Sequence, residues 1–167
     1  MLQGPLSVFT LGGVKTGAGP AQDSYGGAAV HWLVKVLVTS GSSVSIGFGL
    51  WHLFVPRIWR WYSYIDSSAT ELVLAVRAIN AFFSLSLVQF GLLNVLFVCG
   101  GKANRYSIIV LLAATSMLWL TRVVLQCVYP QGSIRPVLQY GMLSLFVLVT
   151  LCYTVSLYIV ATAKTGF

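Results

Sequence analysis

The chain has 167 residues, of which 57% are hydrophobic and 8% charged. Soluble domains carry about 25% charged residues, so a water-facing surface of this size is excluded and a single lipid-embedded domain is expected. The net charge of +7, from ten Lys/Arg against three Asp/Glu, sits mostly at the ends of apolar runs, where it meets lipid phosphates, so no nucleic-acid partner is expected.

Residues 1–30 differ from the rest. They are rich in Gly, Ala and Ser, with Pro5, Pro20, Lys15 and Asp23. The pairs Gly12-Gly13 and Gly26-Gly27 argue against a stable helix. The short apolar patch at residues 6–11 follows no basic region, so it does not read as a secretory signal. The prediction is an extended arm over residues 1–30, lying against a partner surface.

Four apolar runs follow, at residues 31–55, 71–99, 106–129 and 137–162. Each is long enough to cross a bilayer with some tilt. The fold class predicted for residues 31–167 is therefore all-α, an integral membrane four-helix transmembrane bundle. The first run ends in an interfacial belt that begins at Trp51 and continues past it with Trp59, Trp61, Tyr62 and Tyr64, together with Arg57 and Arg60. Pro56 is expected to end or bend the first helix. Ser67, Ser68 or Thr70 can cap the second helix, with Glu71 in its first turn. Gly100-Gly101 and the prolines Pro130 and Pro136 mark the later turns.

Four spans put both termini on one side, with Lys15, Lys35, Lys102, Arg105 and Lys164. Arg57, Arg60 and Arg135 lie on the other with Asp66 and Glu71. The excess of basic residues places the termini in the cytoplasm or its organellar equivalent, for a bacterial inner membrane or an organellar membrane.

Polar and small residues recur at helical spacing inside the spans. Ser42, Ser45, Gly49 and His52 form one set. Arg77, Asn80, Ser84, Gly91 and Asn94 form a second, and Thr115, Trp119, Arg122 and Gln126 a third. At about 100° per residue each set stays on one stripe. Lipid rejects such stripes, so they are expected to face one another. The fourth span is plainer, with Ser144, Cys152, Tyr153 and Ser156 spread over more than one face.

Alternating span direction brings His52, Arg77, Asn80, Arg122 and Gln126 to one half of the membrane, opposite the termini. Arginine's planar fork binds carboxylate, phosphate or carbonyl oxygens, and Trp119 could stack on a ring. The expectation is a net positive pocket for a quinone, a fatty acid or a lipid headgroup, lined by His52, Arg77, Asn80, Trp119, Arg122 and Gln126. The alternative is structural: Arg77 pairs with Glu71 or backbone carbonyls, and Arg122 snorkels to the interface.

Metal and catalytic signatures are scarce. Cys99, Cys127 and Cys152 fit neither a zinc knuckle nor a redox pair. His52 could ligate a pigment, but His31 lies roughly 30 Å away along the same helix at about 1.5 Å per residue, so one chain cannot supply a bis-histidine haem. Gly47-Phe48-Gly49 lies inside an apolar span and is no dinucleotide motif. No catalytic residue and no metal ligand is assigned, and the chain reads as a non-enzyme more than as an enzyme.

Gly49-Leu50-Trp51-His52 at the end of the first span, with Arg77 and Asn80 early in the second, resembles the DoxX-like group of short bacterial proteins with four spans. The resemblance covers about two spans. It implies a link to quinone-associated sulfur metabolism or to larger redox complexes. Two functions are expected, the first from the chain's small size, the composition of its arm and the scarcity of catalytic residues, the second from the polar stripes and the resemblance. One is a non-catalytic accessory or structural subunit of a larger membrane complex, respiratory or photosynthetic, with the lipid bilayer and other membrane subunits as partners. The other is a stand-alone DoxX-like protein that binds a quinone or lipid as its only cofactor-like ligand.

Overall fold

The fold is known from a computed structural model, which describes the backbone of residues 20–132 and 135–163 and the side chains of residues 27–132 and 135–163. Helix α1 runs Pro20–Ile58, α2 Thr70–Cys99, α3 Arg105–Val128 and α4 Pro136–Thr162; a 3-10 turn, Trp61–Tyr64, lies between α1 and α2. No strand occurs among the described residues. Every helix contains a stretch long and apolar enough to cross a membrane, 32 residues in α1 and 30, 24 and 27 in the others. The chain is an all-α, integral membrane four-helix bundle. The ends of α2, α3 and α4 fall within one residue of the predicted spans.

The first span departs from expectation at both ends. Residues 20–30, predicted as extended arm, are helical and continuous with the span. Once a helix is nucleated in the apolar segment, each added residue costs little. Gly26 and Gly27 weaken the early turns by about 1 kcal/mol each without ending them, and proline suits the first helical position. The remainder of the predicted arm, residues 1–19, lies outside the described residues. At 39 residues α1 is about 58 Å long, nearly twice the hydrocarbon thickness of about 30 Å. Its first turns therefore project beyond the bilayer on the side of the termini. At the other end Pro56 does not stop the helix, which continues to Ile58. It removes one bond, since proline has no N–H to give the His52 carbonyl. The chain then reverses at Arg60, which adopts the left-handed conformation with φ 52° and ψ 42°.

Helix α2 starts without a side-chain cap at Ala69, so the expected serine or threonine cap is not made. Asp66 instead accepts a 2.9 Å bond from the Ser68 N–H, which holds its carboxyl below the usual range. Asn104 caps α3 through Ser107 N–H. Arg105 reaches across to the end of α4, donating from Nε to the Val160 carbonyl at 3.0 Å and from Nη2 to the Ala161 carbonyl at 2.8 Å. Those carbonyls belong to the last turn, which has no intrahelical donors. Arg105→Gln is expected to destabilise the bundle by about 1–2 kcal/mol, read as a lower midpoint in detergent unfolding.

Helix α1 packs along α2 and α4, while α3 packs along α4 and more loosely along α2. The helices thus follow one another around the bundle, with α1 and α3 across its diagonal. Phe82 and Met117 are 77% and 72% exposed, whereas Ser42, Ser45, Ser84, Asn94, Thr115 and Ser156 are buried. Lipid tails are as apolar as leucine, so large side chains lose nothing by facing outward. Small and polar residues gain close packing and hydrogen bonds by facing inward. Gly49 and Gly91 set the α1–α2 distance. A Cβ on Gly49 would lie 2.7 Å from the Ser84 carbonyl, and one on Gly91 would lie 3.0 Å from the Ser42 carbonyl.

Candidate functional site

The predicted stripes meet inside the bundle in two polar layers. The first lies near mid-membrane and ties three helices together. The Tyr153 hydroxyl of α4 lies 3.0 Å from Ser42 Oγ and 3.2 Å from Ser45 Oγ, both on α1. Trp119 Nε1 of α3 donates across the diagonal to Ser45 Oγ at 3.1 Å. Ser45 also donates to the Gly41 carbonyl, so its hydroxyl is fully used. Beside this group, Asn94 Nδ2 of α2 donates to Thr115 Oγ1 of α3 at 2.7 Å. Hydrogen bonds between membrane helices average about 0.6 kcal/mol each. Tyr153→Phe, which loses two of them, is therefore expected to cost about 1 kcal/mol in reversible detergent unfolding.

The second layer lies closer to the face opposite the termini. His52 of α1 is enclosed by aromatic rings: Phe83 at 4.9 Å, Phe48 at 5.7 Å and Trp61 at 6.2 Å between centroids. Its Nδ1 lies 3.5 Å from Ser84 Oγ. Arg122 is half-buried, with its guanidinium 4.9 Å from the Phe146 ring centroid. Its Nη2 donates to Gln131 Oε1 at 2.6 Å, and Gln126 Nε2 donates to the Gln131 carbonyl at 3.0 Å. The turn after α3 thus folds back over the layer, with Gln131 as the acceptor for both side chains.

Five of the six predicted site residues, His52, Asn80, Trp119, Arg122 and Gln126, lie on the inner side of the bundle. Arg77 does not. It shares the depth of Arg122, about 10 Å from its helix end at about 1.5 Å per residue, but it is exposed. The inner face of α2 is centred on Asn80, Ser84, Leu87, Gly91 and Asn94, and at about 100° per residue Arg77 falls roughly 60° off that line. Its guanidinium stacks 5.0 Å above the Tyr62 ring. That contact, with snorkelling toward the nearby interface, offsets the cost of a charge in the span. The expected pair of sheltered arginines is therefore a single one, Arg122. Glu71, the expected partner carboxylate, is exposed.

Several groups in the inner layers lack partners: Asn80 Oδ1, Asn94 Oδ1, Ser116 Oγ, Arg122 Nε and Gln126 Oε1. They could bond a carbonyl, a phosphate or water. The enclosed space beside Arg122, between Phe48, Phe83, Leu87, Leu118 and Trp119, is about 10 Å³, room for about one water and no ring. His52, 9% exposed, presents no open face to a pigment in this packing. Among the described residues no group of three or more His, Cys, Asp or Glu could hold a metal. Spacing within α4 alone did not identify Tyr153 as the hub of the first layer. Gln131 escaped sequence reading because a turn residue carries no periodic signal. Comparison with protein-family models, with curated proteins and with solved structures finds no match for this chain.

Proposed function

We propose that the chain is a non-catalytic accessory or structural subunit of a larger membrane complex. One observation carries this reading. Helix α1 bears two small-residue stripes with four-residue spacing. The inner one, Gly41, Ser45 and Gly49, is buried against α2 and α4. The outer one, Thr39, Ser43 and Gly47, is exposed, and nothing lies within 4 Å of a Cβ built on Gly47. Small residues at that spacing let a second helix backbone approach closely in lipid. Against acyl chains alone they offer little contact. A transmembrane helix of another subunit is the fitting occupant. Cross-linking in native membranes through Ser43→Cys tests this reading. A stoichiometric adduct of fixed mass, abolished by Gly47→Leu, is expected; an uncross-linked 18 kDa species throughout contradicts it.

A second reading is supported by the unpartnered polar atoms around Arg122. In it the chain stands alone and binds a quinone, fatty acid or lipid headgroup at the His52–Arg122 layer, as the DoxX-like resemblance implies. Such a ligand requires the loose α2–α3 seam to open. Arg122→Gln should then abolish co-purification of the ligand, and unchanged recovery would remove this reading.

A further inference from the structure

A groove runs along the flank of α4, between its exposed residues Val137 and Gly141 and the buried core residue Met142. Val137, Leu138, Gly141, Met142 and Leu145 line it, Arg135 stands at its mouth, and its volume is about 480 Å³. Gly141 forms part of its floor, with nothing within 4 Å of a Cβ built there. We propose that this groove holds one molecule of an anionic phospholipid, with an acyl chain along α4 and the phosphate on Arg135.

Three observations carry the assignment, which does not depend on the accessory-subunit reading. The first is depth. Arg135 directly precedes α4 at the membrane face opposite the termini. From Arg135 to Leu145 the helix advances about 15 Å at about 1.5 Å per residue, half of the roughly 30 Å hydrocarbon core and hence one leaflet. A guanidinium at the mouth then stands at the level of phospholipid phosphates. The second is charge. The groove is apolar along its length and carries a cation only at its mouth. Arg57, Arg60 and Arg77 at the same face outnumber Asp66 and Glu71, so the local field favours anionic headgroups. The third is availability. Arg135 is exposed, and its backbone N–H is fixed by the Gly132 carbonyl at 2.9 Å. Its guanidinium makes no hydrogen bond or ion pair with another described residue. The backbone is therefore held in place, and among the described residues nothing occupies the fork that two phosphate oxygens would take.

The test is native mass spectrometry of the full chain in detergent, titrated with phosphatidylglycerol or with phosphatidylcholine bearing identical acyl chains. Wild type is expected to retain the first phosphatidylglycerol about fivefold or more over phosphatidylcholine, the scale of one arginine at an anionic surface. Arg135→Gln should bring that ratio close to one, and Arg135→Lys should restore part of it. Gly141→Leu should weaken first-site binding of both lipids, whereas Lys102→Gln, at the opposite face, should change neither. Inorganic phosphate at the lipid concentration should not displace the bound lipid, since it lacks the chain. Equal retention of both lipids by wild type overturns the proposal, as does an unchanged preference in Arg135→Gln. Loss of cross-linking to a partner subunit in Gly141→Leu, with lipid retention unaltered, would assign the groove to that partner and likewise overturn it.

Discussion

Gly49→Leu is expected to destabilise the bundle by about 3 kcal/mol or more, whereas Gly47→Leu on the same helix should change stability by less than about 0.5 kcal/mol. The reason is what each new side chain meets. At Gly49 a Cβ would sit 2.7 Å from the Ser84 backbone carbonyl, 3.1 Å from Leu87 Cβ and 3.0 Å from Val88 Cγ2. A carbonyl in a helix cannot rotate aside, so α1 and α2 must separate. Separation also breaks the His52–Ser84 contact and opens the packing around Gly91, where a Cβ would lie 2.7 Å from Ile46 Cγ1 and 3.0 Å from the Ser42 carbonyl. At Gly47 there is open space, so the single chain folds unchanged and only its outer docking face is lost. Reversible unfolding in mixed micelles, read by circular dichroism, measures both. Equal effects of the two substitutions would mean that α1 is rotated from the orientation described.

Trp119→Ala is expected to cost about 3 kcal/mol, from the cavity it leaves. Trp119 is 1% exposed and is one of the largest side chains in the core. It lies against Phe48 at 6.2 Å and Phe146 at 5.7 Å between centroids, and it supplies the hydrogen bond that joins α3 to α1 across the diagonal. In lipid the gain from removing apolar surface from water is largely absent, since the unfolded helices are already in hydrocarbon. What remains is the lost dispersion contact around a cavity that the four helices cannot close. Trp119→Phe keeps most of the contacts and loses the indole donor, and should cost about 1 kcal/mol. Unfolding midpoints for the two variants separate the packing contribution from the hydrogen bond. A Trp119→Ala midpoint close to wild type would show that the residue lies at the periphery.

Much of this architecture is legible in the residues themselves. In a membrane protein the inner face is marked by polar and small residues, so Ser42, Ser45, Gly49, Asn94 and Thr115 announce it directly. Span ends are legible because Gly100, Gly101, Pro130 and Pro136 interrupt otherwise uniform apolar runs. At Arg77 helical spacing misleads. A stripe drawn at 100° per residue tolerates deviations of tens of degrees, and near a helix end that tolerance decides between core and surface. The aromatic Tyr62 that takes up Arg77 comes from a short 3-10 turn with no periodic pattern. The helical course of residues 20–30 was hidden for a different reason. Local propensity speaks against it, but continuity with a long apolar helix outweighs a few glycines. Within the candidate site, His52, Asn80, Arg122 and Gln126 could be grouped by depth and spacing, whereas their closure by Gln131 depends on how a turn folds back.

The small and polar faces of the helices meet inside the bundle. Gly41 offers the most direct measurement of that arrangement. A Cβ on Gly41 would lie 3.3 Å from Cys152 Cβ, close to the roughly 3.5–4.5 Å that disulfides span. In a chain with Cys99 and Cys127 replaced by serine, Gly41→Cys is expected to form an intramolecular disulfide with the native Cys152 under mild oxidation, seen as a mass loss of two hydrogens and a protected thiol pair. Gly47→Cys in the same background should form none within the chain. Free alkylation of both thiols in the Gly41→Cys protein, or an intramolecular disulfide in the Gly47→Cys protein, would contradict the inward orientation of this face of α1.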